Sequence, residues 1–282
     1  MRNQRGFTLV EILMAMVVML TVTGAIYKLL TTSQRLSNAQ AARTDLQSNE
    51  RAASLIVPSE LRELNTVIGG TAIETDILTL GATNIRYRAM RGLGFVCQSA
   101  AGVISIYKDT WSGYRAPQQT RDAGYVFFQT DPSTGSDGTW QTALITAVGT
   151  GTACPGGAAS YTLTMPGLAA PDLGAPVRLF EVMEMGLYPS GGKWWLGVQS
   201  VSAGELTKQP LLGPLKEATG LTLKYYDQTG ATETTDPNNV RSILVTIKGI
   251  TNGAVSTGGG SSNVAVVEDS VVSRVTLRNA LR

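Results

Sequence analysis

The sequence predicts an α+β fold, with one long N-terminal α-helix packed on an antiparallel β-sheet body. Three observations predict it. An apolar run over residues 7–30 leads into residues 31–57, which contain no Pro or Gly to break a helix. After Gly69-Gly70 the spacing of apolar residues changes to two, with turn residues between short runs. The composition has 31 glycines and only 16% charged residues, with long tracts of Thr, Ser and β-branched side chains, which favours strands and loops over a helical bundle.

The first element is a short basic leader, residues 1–6, carrying Arg2 and Arg5. The apolar run that follows is long enough to cross a bilayer, which takes about 20 residues as a helix. The two arginines hold the N-terminus in the cytoplasm by the positive-inside rule, so the chain beyond Leu30 is expected to be exported. A secretory signal is one alternative. Its apolar region would be shorter, about 7–15 residues, ending in a small-x-small cleavage site such as the one mimicked near residues 23–25. An uncleaved signal-anchor is another. Under both, Glu11, near the start of the run, is out of place, because a carboxylate in an apolar span costs on the order of 3 kcal/mol at its centre and less near an end.

The helix is expected to continue past the membrane. Leu36, Ala39, Arg43, Leu46, Ala53 and Val57 recur at spacings near three and four, with a gap at Glu50. A helix over 7–57 would be roughly 75 Å long. Pro58 is expected to stop or kink it, with a short restart over 59–64. Four segments result: leader 1–6, membrane half 7–30, amphipathic half 31–65 and β-rich body 66–282.

Within the body, strands are expected over 77–80, 85–90, 103–107, 125–129, 161–165, 180–187, 193–201, 221–226, 240–250 and 264–277. Residues 187–194, with Pro189 and Gly191-Gly192, read as a hairpin turn, and Asp236-Pro237-Asn238-Asn239 as another. The Gly-rich stretch 257–262 lacks the Gly-Lys-Ser/Thr ending of a phosphate loop.

Several functions are disfavoured by what the chain contains. It has no histidine, which removes the Ser-His-Asp triad, the Cys-His pair and most zinc sites; no catalytic set and no cofactor are expected. Formal net charge is +2, and without Arg2 and Arg5 the remaining 21 basic side chains balance 21 acidic ones, so no nucleic-acid partner is expected. Cys97 and Cys154 are too far apart for a C-x-x-C redox motif. In an exported body they pair; the alternative is two separate buried thiols. Asp227, Glu233 and Asp236 are candidate calcium ligands whose spacing fits no EF-hand, so no metal site is expected. Of Trp194 and Trp195, adjacent on a strand, one is expected in the core and the other exposed. With Trp111 and Trp140 they form a candidate patch for a sugar or a partner.

The segment Gly6-Phe7-Thr8-Leu9-Val10-Glu11, behind its basic leader, resembles the class III signal of type IV prepilins and type II secretion pseudopilins. The resemblance implies cleavage after Gly6 by a prepilin peptidase, N-methylation of the new N-terminus at Phe7, and a role for Glu11 in docking to the previous subunit. The new amine lies one helical turn from Glu11, so the amine of one subunit can meet Glu11 of a staggered neighbour and fix register. Leu221-Thr222-Leu223-Lys224-Tyr225-Tyr226-Asp227, the run 240–247 and the ending 273–279 look like PilW-type minor pilins and the J-type pseudopilin of type II secretion. Expected partners are other pilin or pseudopilin subunits, the prepilin peptidase, an inner-membrane assembly platform and, before assembly, membrane lipid. A minor pilin is the first expectation. A secretion pseudopilin or a pilus-borne adhesin, binding through loops 113–138 or 149–157, is the alternative.

Overall fold

The computed structural model describes residues 8–65, 75–129, 138–257 and 263–277. Helix α1 (Leu9–Arg62) precedes β1 (Ile77–Leu80), β2 (Asn84–Ala100), β3 (Val103–Tyr107), β4 (Ser112–Gly113), β5 (Asp122–Gln129), β6 (Gly138–Leu144), β7 (Ala147–Cys154) and β8 (Ala158–Thr164). Then come β9 (Pro176–Ser190), β10 (Lys193–Ser200), β11 (Gln209–Leu215), β12 (Leu221–Tyr226), β13 (Ser242–Ile250), β14 (Val255–Ser256), β15 (Val264–Ala265) and β16 (Glu268–Thr276). This is the expected α+β arrangement: one long N-terminal helix and a large antiparallel sheet.

The chain forms two compact units. One comprises Met1–Ser48 and Ile250–Glu268, the other Asn49–Gly249 and Asp269–Arg282. In the first, β14 and β15 make a short hairpin, and Val255 and Val264 border a cleft of about 280 Å³ with Arg35 and Ala39 of α1.

In the second unit, helix residues pack under the sheet. Pro58 does not end α1, which runs on to Arg62. The missing backbone donor is outweighed by burial, because Val57, Leu61 and Leu64 around it are at most 1% exposed. The buried stripe is Glu50, Ala53, Val57, Leu61 and Leu64, while Leu36 and Arg43 of the expected stripe are exposed.

The main sheet follows the order β12-β13-β11-β10-β9-β2-β3-β8-β7, with β1, β4, β5, β6 and β16 attached at its sides. Two long strands, β2 and β9, pair along nearly their whole length and serve two cores. Ile85, Tyr87 and Ala89 of β2 and Met185 of β9 face the core built with the helix. Val96 of β2 and Val177 and Leu179 of β9 face a second core with Ile104, Ile106 and Leu163. The switch on β2 is a bulge between Met90 and Gly92. The extra residue changes the phase of alternation, so odd positions are buried before it and Gly94 and Val96 after it.

Cys97 and Cys154 are joined by a disulfide, with Cα atoms 5.2 Å apart, linking β2 to the far end of β7. The bond closes a loop of 57 residues, worth about 4 kcal/mol in the chain-entropy model. Cys97→Ala with Cys154→Ala is expected to lower denaturant-measured stability by about that amount. The check is urea unfolding of the full chain in detergent; an unchanged midpoint would remove the bond from the account of stability.

A polar cluster clamps the segment before β5 onto β9. Glu181, 2% exposed, accepts from Arg91 Nε at 2.7 Å, Arg115 Nη2 at 3.2 Å, Arg121 and Ser200. Arg115 also grips Asp122 with two bonds of 2.6 Å, and Trp111 Nε1 donates to the Arg115 carbonyl at 3.0 Å.

Glu50 carries the one carboxylate on the helix's buried stripe. Its pKa is pushed up to about 7, first by burial, then by a hydrogen bond and charge repulsion from Asp269. A carboxyl whose pKa is raised on folding contributes stability below its unfolded value, near 4.5, and loses it as pH rises through 7. Glu50→Gln is therefore expected to raise the unfolding midpoint at pH 8, by up to about 3 kcal/mol, and to change it little at pH 5. Paired urea titrations at the two pH values check this, and an equal effect at both would contradict it.

Three expectations change, and the acidic candidates have local roles. Neither Trp194 nor Trp195 is buried; both are half-exposed. They lie at the turn end of β10, while Leu196 two residues beyond Trp194 is fully buried. Residues 149–157 are mostly β7 and a short 3-10 turn rather than a loop, β5 lies inside 113–138, and residues 130–137 lie outside the described residues. The expected strand 264–277 is two strands, because Thr251 bonds Val267 between them. The calcium candidates are spent locally: Asp227 accepts from Thr229, Glu233 from Lys224 at 2.6 Å, and Asp236 caps the 3-10 turn Pro237–Asn239. The stretch 258–262 of the Gly-rich loop lies outside the described residues.

Candidate functional site: the exposed N-terminal helix

Among the described residues, the largest apolar surface lies on the first half of α1. Every residue from 8 to 30 is exposed, including Leu9 at 77%, Leu20 at 73% and Leu29 at 72%. Burying such side chains stabilises by roughly 1.5–3 kcal/mol each, so this surface requires lipid or neighbouring helices. From Leu9 to Leu30 the helix rises roughly 30 Å, the thickness of a hydrocarbon core. It is the one helix among the described residues long and apolar enough to cross a membrane.

The threonine hydroxyls in and just after this run are satisfied within the helix. Thr21 and Thr23 return their hydroxyls to the carbonyls of Val18 and Met19, at 2.8 and 2.7 Å. Thr31 and Thr32 both bond the Lys28 carbonyl. Such back-bonding satisfies hydroxyls where no water is available.

Glu11 is placed by its own helix start. Thr8 N–H donates to Glu11 Oε2 at 2.9 Å, Thr8 Oγ1 donates to the same oxygen at 3.1 Å, and Glu11 N–H donates to Thr8 Oγ1 at 3.3 Å. This is a capping box: the residue before the helix and the third residue in it satisfy each other's backbone donors. The carboxylate also complements the positive end of the helix. Reading Glu11 as an anomaly of the apolar run misses Thr8, although Thr-x-x-Glu ahead of an apolar run is the sequence mark of such a cap. The cap leaves Glu11 exposed at the start of the helix, its carboxylate held on Thr8.

Gly6 and Phe7 lie outside the described residues. Cys97 and Cys154, in the body, are paired.

The prokaryotic N-terminal methylation motif matches residues 1–27. No curated protein and no solved structure matches the chain. The motif covers the leader, the capping box and most of the exposed apolar run. The match is to a prepilin-type processing signal, is confined to the N-terminal segment and says nothing of the β-body.

Proposed function

We propose that the protein is a minor pilin of a type IV pilus, cut after Gly6, methylated on Phe7 and held in the filament by α1. Its body would help to start or cap assembly. The observation that carries this reading is the methylation motif on a helix whose first half is wholly exposed and apolar. Such a helix is stable in lipid before assembly and among sister helices afterwards. In the filament, Glu11 would bond the Phe7 amine of a neighbouring subunit, neutralising both charges in apolar surroundings. The large body, with its two cores, fits a low-copy tip or priming subunit better than a densely repeated shaft. The resemblance of the C-terminal strands to PilW-type minor pilins and J-type pseudopilins supports the same class.

The test is mass spectrometry of filaments sheared from intact cells. Enrichment in the filament fraction is the expected result. Retention in the envelope, with intact pili recovered, would replace the minor pilin by a secretion pseudopilin.

A further inference from the structure

On the face of the sheet opposite Leu196 lies a cleft of about 820 Å³, walled by the β9–β10 hairpin and β11. The hairpin turns on Gly191 and Gly192, whose φ of 59° and 74° give the tight two-residue turn that matches strand twist. Tyr188 and Trp195 are direct cross-strand partners, so both rings stand on this face. Glycines make room for them. A Cβ at position 197 would meet Tyr188 Cε1 at 2.3 Å, and one at position 213 would meet Trp195 Cε3 at 2.7 Å. Each ring therefore packs against bare backbone on one side and borders the cleft on the other. Trp195 is further fixed by its indole N–H, which donates to the Ser190 carbonyl at 3.1 Å.

The remaining walls are mixed, with Pro189, Leu206 and Pro210 apolar. Gln199 and Gln209 line the cleft, with Lys193 and Lys208, and no carboxylate is among its lining residues. Lys208 is held by Glu184 at 2.8 Å. The combination is two pre-set aromatic rings, amides able both to donate and to accept, and a volume in the range of small-ligand sites. A membrane-facing or core-type surface would have no use for the amides, and a cationic ligand is disfavoured by the lysines.

We propose that this cleft binds a saccharide, with the C–H face of a pyranose against Trp195 and Tyr188 and its hydroxyls on the Gln199 amide. The ammonium groups admit an acidic sugar as readily as a neutral one. The inference goes beyond filament assembly and does not depend on it, since every residue of the cleft lies in the β-body.

The test is isothermal titration of the full chain in detergent with two probes, neutral cellohexaose and anionic hexagalacturonate. Binding of at least one probe is expected, with Trp195→Ala weakening it at least about tenfold, as for a central aromatic anchor. Gln199→Ala, which leaves the rings in place, is expected to weaken it several-fold, and Trp140→Ala to leave it unchanged. Binding of cellohexaose alone assigns a neutral sugar, and binding of hexagalacturonate alone an acidic one. No heat or indole fluorescence change with either probe up to about 10 mM would overturn the proposal. So would binding that survives unaltered in both Trp195→Ala and Gln199→Ala.

Discussion

Glu11→Ala is expected to leave the chain inserted and cut by the peptidase, yet to lower its recovery in sheared filaments at least about tenfold. Two roles meet at this residue. As the third residue of a capping box with Thr8, Glu11 satisfies the first backbone donor of α1, and losing the cap costs about 1 kcal/mol. As the proposed partner of a neighbour's Phe7 amine, it would remove an unpaired charge from an apolar filament core, worth several times more. Glu11→Gln separates the two. Glutamine still closes a capping box but carries no charge. If the assembly role holds, Glu11→Gln resembles Glu11→Ala in the shear assay. If Glu11 serves only its own helix, Glu11→Gln resembles the parent. Quantitative mass spectrometry of the sheared fraction reads the difference.

The second large effect is expected in the body. Glu181→Ala should destabilise the full chain by about 3–5 kcal/mol, because Arg91, Arg115 and Arg121 would lose their shared buried anion. The pH dependence has a definite sign. Burial alone would raise the Glu181 pKa, but hydrogen bonds from Ser200, Arg91 and Arg121 outweigh it and bring the value down to about 2. A carboxylate lowered on folding contributes stability above its unfolded value, near 4.5, and loses it as pH falls toward 2. The parent should therefore lose on the order of 3 kcal/mol through this group over that window. Glu181→Ala should be flatter there, and the difference between the two proteins should shrink with acid. Urea unfolding at pH 6 and pH 3 measures it; a difference that grows with acid would contradict the assignment.

The two carboxylates show why some features were legible in the sequence and others were not. Glu11 stands out because every neighbour in its run is apolar, and its capping partner is three residues away. Glu181 does not stand out. Its arginine partners come from positions 60 to 90 residues distant, and the pairing of both β2 and β5 with β9 brings them together. The same division holds for the fold. The strands over 77–80, 103–107 and 221–226 have the bounds their sequence patterns predict. β6 and β7 do not, because Gly138, Gly149 and Gly151 interrupt the pattern and most of their side chains are exposed. β11 was hidden by Pro210 and Pro214. The bulge at Met90–Gly92, which divides the body into two cores, follows from packing on both sides of one long strand. Glu50 read as a gap in the helix stripe, whereas it belongs to the stripe in a form tuned by Asp269.

The most direct test of the central claim is the N-terminus of the protein recovered from cells with an active prepilin peptidase. Intact-mass and N-terminal peptide analysis should show a chain lacking residues 1–6 and beginning with a methylated Phe7. A chain that still begins at Met1, or that is cut near residue 25, would contradict a pilin-type subunit.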